Sequence, residues 1–159
     1  MTSARKVAEA WLRKAAGDTP LYVALFLLPM ERRNLVRRFG QKHPERHADH
    51  MTIWFHKDGD LPFDLTDLPL GKTIPLKIIG YVEDDQAQAV IVQPPPRFRP
   101  VSGRTPHITI STEKGVLPAH SNALIEQAWD TAEARKGFPT LAGKVGWYDG
   151  QRVRYDFPR

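Results

Sequence analysis

The chain has 159 residues, with 23 Lys and Arg against 18 Asp and Glu, a net charge of +5 and a pI near 9.6. That length holds one domain with a proper core and is too short for two ordinary ones, so a single domain over residues 1–159 is expected. The absence of cysteine excludes disulfides and Cys-based metal or redox sites, and the longest apolar run, Leu21 to Met30, falls far short of the roughly 20 residues a membrane span needs.

These limits predict a soluble, cytoplasmic monomer with no membrane association and no evident protein partner. The modest basic excess favours anionic ligands, RNA among them.

In chain order, residues 3–16 (SARKVAEAWLRKAA) set Val7, Ala10, Trp11 and Ala15 near one face and run to Gly17, predicting a packing helix within residues 1–18. LYVALFLLP, 21–29, reads as a buried strand closed by Pro29. ERRNLVRRFGQ follows as a short basic helix. HMTIWF, 50–55, is a strand, and the Pro-, Gly- and Asp-rich stretch after it is a loop.

IPLKIIGYV (74–82) and AQAVIVQ (87–93) form a strand pair joined by a turn, and PPPRFRPVSGR is a stiff basic connection to the strand PHITIS, 106–111. Residues 121–136 read as a helix with Ser121 as its N-cap, and VGWYDGQRVRYDF as a closing hairpin turning at Asp149-Gly150. The fold class is α+β with mainly antiparallel strands.

Two strands share an unusual pattern. By the two-residue period, His50, Thr52 and Trp54 lie on one face of HMTIWF, and His107, Thr109 and Ser111 on one face of PHITIS. With six histidines and ten threonines in the chain, His-x-Thr followed by an aliphatic residue is expected about 0.1 times by chance, yet it occurs twice. If tertiary structure brings the two segments together, two imidazoles titrating near neutrality can divide the labour of phosphoryl chemistry. One takes a proton from the attacking oxygen and the other gives one to the leaving oxygen, while the hydroxyls donate to the phosphate. That design requires neither metal nor cofactor.

Other signals are weaker. Gly71-Lys72-Thr73 matches the end of a phosphate-binding loop, but the required first glycine falls at Thr66 and Pro75 leads into a strand, so ATP binding is rejected. His43, His47 and His50 in HPERHADH suggest a metal set, yet Pro44 breaks the helix that would align them, and a solvated loop is expected. Arg32, Arg33, Arg37 and Arg38 read as a charged outer helix face. Arg97, Arg99 and Arg104 approach PHITIS, and Arg99 and Arg104 are candidate substrate contacts beside Ser111. Trp54 and Tyr22 are candidate stackers for a base.

HMTI and HITI resemble the paired motifs of the two-histidine (2H) phosphoesterase superfamily. LKIIGYVEDDQAQAVIVQ with TPHITISTEKGVLPAHSNALI is most similar to the cyclic phosphodiesterase domains of fungal and plant tRNA ligases and to myelin 2′,3′-cyclic nucleotide phosphodiesterase. The resemblance implies a bilobal fold, two antiparallel sheets related by a pseudo-twofold about a central cleft with helices outside. It implies His50 and His107 as acid and base, Thr52 and Thr109 as phosphate ligands, and hydrolysis of a 2′,3′-cyclic phosphate on RNA or a nucleotide to the 2′-phosphate, as in RNA repair. The alternatives are 2′,5′-linked or cyclic oligonucleotides or RNA 3′ ends as substrates for the same groove, or a non-catalytic RNA-binding module.

Overall fold

The computed structural model describes residues 19–128 and 138–157. The helix expected within residues 1–18 and the end of the helix expected over 121–136 lie outside them. Strand β1 (Tyr22–Leu27) leads through Leu28 into helix α1 (Pro29–Phe39). Pro29 opens this helix as well as ending the strand, because a proline in the first helical turn sacrifices no intrahelical hydrogen bond. Gly40, at φ 75°, ends α1, its amide donating to the Val36 carbonyl.

The chain continues through β2 (Glu45–Arg46), β3 (His50–Phe55), β4 (Thr73–Glu83), β5 (Ala87–Gln93), β6 (His107–Thr112), helix α2 (His120–Ala128), β7 (Thr140–Tyr148) and β8 (Val153–Arg154). The strands lie in one hydrogen-bonded sheet, in the order β2-β6-β5-β4-β7-β1-β3 with β8 on β7, and their pairings are antiparallel. The expected two sheets are thus two halves of one. The reason is β4, whose 11 residues pair with β7 over 73–77 and with β5 over 77–83.

The two ends of this strand order meet. His47 and Ala48 extend β2's pairing, their amides donating to the Ile110 and Thr109 carbonyls at 2.8 and 2.7 Å, and Leu27 then donates to the Asp49 carbonyl as the chain joins β1. Three residues therefore carry the chain from the edge of β6 to the edge of β1. They place β3 beside β6.

The larger core cluster fills one face of the sheet, with Val23, Leu25, Met51, Leu76, Ile108 and Trp147 among its buried members and Leu35 of α1 packed in. A second cluster unites Ala89 and Ile91 of β5 with Leu124 and Ile125 of α2. Ala89 and Ile91 stand opposite Thr109 and His107, so α2 covers the face that carries this motif. Covered on both faces, β5 is buried from Ala87 to Val92.

Candidate active site

The two motif strands carry matching irregularities. In β3, Val23 faces Trp54 and Ala24 faces Thr52, which leaves Ile53 as an extra residue; in β6, Gln88 faces Ser111 and Ala89 faces Thr109, which leaves Ile110. Each bulge thus falls on the isoleucine that follows the motif threonine. One extra residue reverses the alternation beyond it.

Two expectations are corrected by this reversal. Trp54 leaves the His50 face and enters the larger core, where its indole Nε1 finds no hydrogen-bond partner among the described residues. Phe55, opposite Tyr22, takes the cavity face instead. Likewise Ser111 turns away from His107. Fully buried, its hydroxyl donates to Gln88 Oε1 and accepts from the His43 amide, while Thr112 takes its place on the motif face.

What remains on the face converges. His50, Thr52, His107 and Thr109 all line one cavity of about 690 Å³, a size suited to a small ligand. Burial presses the His50 pKa down from 6.5 to about 4, with the neighbouring His107 and His47 adding to the effect. His107 is also lowered, by burial first, against the opposing effect of the hydrogen bond it donates to the Thr105 carbonyl and with Arg104 pushing down.

The two rings are held differently. His107 Nδ1 lies 3.0 Å from the Thr105 carbonyl, so it carries the proton and leaves Nε2 for the cavity. His50 has no such partner among the described residues; its Nδ1 is buried and unbonded. Its ring is instead packed by aromatics, with Tyr22 stacked at 4.9 Å and Phe26 tilted at 5.6 Å between centroids.

Tyr22 lines the cavity, but not as a stacking platform for a base. Its ring lies between His50 on β3 and Tyr148 on β7, 5.0 Å away, so both faces are taken. Burial, with Tyr148 and Asp49 adding to it, raises its hydroxyl pKa to about 12, keeping it neutral and able to donate.

The threonines differ too. The Thr109 hydroxyl lies 2.8 Å from Ser121 Oγ and 3.3 Å from the Pro118 carbonyl, whereas Thr52's has no hydrogen-bond partner among the described residues. Ser121 is the second residue of α2 rather than its cap, and its hydroxyl is committed to Thr109.

Charge at the rim comes from Lys57 and Arg104, both exposed and without an ion pair among the described residues. The acids nearby are engaged: Asp49 pairs with Arg32, and Asp58 accepts from the Phe55 amide. Arg99 is exposed and outside the cavity, and Arg97 donates to the Asp67 carbonyl.

The HPERHADH histidines are not a loop set. His43 bonds Glu113 and the Asp84 carbonyl, and His47 reaches the Thr112 hydroxyl at 2.9 Å and lines the cavity. Among the described residues no cluster of His, Asp and Glu is arranged to hold a metal ion. No helix among them is long and apolar enough to cross a membrane.

No protein-family model and no curated protein matches this sequence. Among solved structures, a fungal RNA kinase matches with a TM-score of 0.54 at 15% identity. The match covers 80% of this chain and 41% of that one, so this chain spans about two fifths of the kinase's length. At that identity the likeness is one of fold.

Proposed function

We propose that this protein is a 2′,3′-cyclic phosphodiesterase that opens the cyclic phosphate at an RNA end, working by two-histidine acid–base catalysis without a metal. The observation that carries the reading is the convergence of His50, Thr52, His107 and Thr109 on one cavity. The resemblance of the paired motifs to 2H phosphoesterases supports the chemistry. Its fold-mate is named for a kinase of RNA, and Lys57 and Arg104, without an ion pair among the described residues, suit a polyanion; both favour RNA as substrate. The matched bulges at Ile53 and Ile110 fit a pseudo-twofold relation between the halves of the sheet, each half forming one lobe around the cavity.

The two rings suit different roles. His107, oriented through Nδ1 by the Thr105 carbonyl, offers the Nε2 lone pair as general base. Water loses a proton to it and attacks phosphorus in line with the bond to O3′. That bond breaks, and O3′ receives its proton from the His50 imidazolium, giving a 2′-phosphomonoester and a free 3′-hydroxyl. A group that gives up its proton as readily as His50 is a strong acid, and the bound diester's negative charge helps it take that proton on. Thr52 and Thr109 donate to the non-bridging oxygens as charge gathers there.

The test is a cyclic-phosphate-ended RNA, with 2′,3′-cyclic AMP and a 2′,5′-linked dinucleotide alongside, all assayed with a chelator present. Cleavage of the first to a 2′-phosphate, lost in both His50→Ala and His107→Ala, is expected. An aryl phosphodiester with a good leaving group needs no acid, so His50→Ala should retain activity on it while His107→Ala should not. RNA binding with no cleavage of any of these substrates would discard the enzymatic reading.

A further inference from the structure

Arg32 was expected on a solvated helix face with Arg33, Arg37 and Arg38. Its guanidinium instead meets three consecutive residues of another segment. Nε donates to the Ala48 carbonyl and Nη2 to that of His47, both at 3.2 Å, and Nη2 lies 2.6 Å from Asp49 Oδ1. Those residues immediately precede His50.

The segment is unusual in its own right. Ala48, fully buried, is the one non-glycine residue with positive φ among the described residues, at 51°. An L-residue adopts that conformation only where its surroundings impose it. Here the amide of Ala48 is bound to the Thr109 carbonyl while the next carbonyl, of Asp49, is bound by Leu27 on the opposite edge. The left-handed residue is where the chain changes partners between the two motif strands. His50 follows two positions later.

A guanidinium suits this turn as an ammonium does not. Its planar fork reaches two successive carbonyl oxygens and a carboxylate at once, and it stays charged while doing so. It also neutralises Asp49, a carboxylate on the wall of a cavity proposed to take an anion.

We propose that Arg32 is a positioning residue for the candidate site. By clamping the turn at 47–49 it fixes His50 against His107 and Thr109, without itself touching substrate. The inference rests on the catalytic reading of His50, and its test is built to fail separately from that reading.

Arg32→Ala and Arg32→Lys are compared with Arg33→Ala, an exposed neighbour on the same helix. With a cyclic-phosphate-ended RNA, Arg32→Ala is expected to lower kcat about 100-fold with KM changed by less than about threefold, because a misplaced proton donor harms the step rather than binding. Arg32→Lys retains the charge but not the fork and should stay low, Arg33→Ala should be unaffected, and added millimolar guanidinium should restore part of the Arg32→Ala rate. Hydrogen exchange at the Ala48 amide should quicken at least about tenfold in both Arg32 variants. If Arg32→Ala does not fold, Arg32→Lys carries the same measurements.

Wild-type kcat in Arg32→Ala, full activity in Arg32→Lys, or unchanged Ala48 exchange each overturns the clamp. If the wild-type protein cleaves no cyclic phosphate, the functional reading falls, and Ala48 exchange alone decides for or against the clamp.

Discussion

Thr52 and Thr109 stand at the same point of their strands, each just before a bulged isoleucine, yet among the described residues only Thr109 has its hydroxyl tied, to Ser121 and the Pro118 carbonyl. A hydroxyl has one proton, so Thr109 can donate to phosphate only by releasing Pro118, while Ser121 remains able to donate to it. In the proposed reaction Thr52 would donate without giving anything up. Thr52→Ala should therefore lower kcat about 100-fold and leave the urea midpoint unchanged, whereas Thr109→Ala should lower both, since it strands the buried Ser121 hydroxyl. Steady-state rates and urea unfolding on the two variants separate these outcomes.

Both imidazoles sit below their ordinary value of 6.5 in the free protein, His50 at about 4. A reaction that needs one neutral and one protonated imidazole has its kcat/KM maximum between the two free-enzyme values, whichever ring plays which part. The maximum of kcat/KM should therefore fall below pH 6.5. The bound diester favours the imidazolium, so the kcat profile should be displaced upward relative to it. A kcat/KM maximum above pH 7 would contradict the assignment.

The depressed His50 also sets a direction for stability. Above pH 6.5 the ring is neutral both in the native protein and in the unfolded chain, and it contributes no pH dependence. As pH falls from 6.5 toward 4, the unfolded chain takes up a proton that the native protein refuses, so stability declines, by about 2 kcal/mol once the water reaching the cavity edge is allowed for. His107 acts in the same sense. His50→Phe should remove the His50 share, seen as a flatter urea stability curve between pH 6.5 and 4.

The strands and the His/Thr faces were legible because burial on one side imposes a period of two, and that period holds as far as Thr52 and Thr109. It failed one residue later in both strands. Nothing in TIWF or TIST marks a bulge: the bulged residue is isoleucine, with no glycine to signal it. The contacts of Arg32 and His47 were hidden for a different reason. Each depends on partners from distant parts of the chain, Ala48 and Asp49 for the first and Thr112 for the second. A sequence pattern on one helix or one short segment carries no trace of them.

The bulge in β3 makes Phe55, rather than Trp54, the aromatic that shares the cavity with His50 and His107. Phe55 is half-buried at the cavity, with Lys57 two residues further on at the rim. Removing the ring in Phe55→Ala should raise KM for an RNA end by about tenfold, the loss of one stacked base, with a smaller effect on kcat. Trp54→Phe should leave KM unchanged. Its stability should move by no more than about 1 kcal/mol, because lost packing is offset by removing a buried N–H that has no partner. Equal KM effects from the two substitutions would mean the bulge does not select Phe55.

Ser111 provides the converse case, a motif-strand hydroxyl placed in the structure rather than in the chemistry. Gln88, fully buried, uses its whole amide: Nε2 donates to the Gly40 carbonyl and the Tyr81 hydroxyl, while Oε1 accepts from the Lys42 amide and Ser111. Ser111 also accepts from the His43 amide, so this pair pins the end of α1 and the start of the 41–49 segment to β5 and β6. Ser111→Ala leaves the His43 amide without its acceptor and Gln88 one donor short, which should cost about 1–3 kcal/mol in urea unfolding. Because its hydroxyl faces away from His107, kcat and KM measured on the folded fraction at low temperature should match wild type. A selective loss of kcat in a Ser111→Ala protein of normal stability would return this residue to the candidate site and reverse the reading of the β6 bulge.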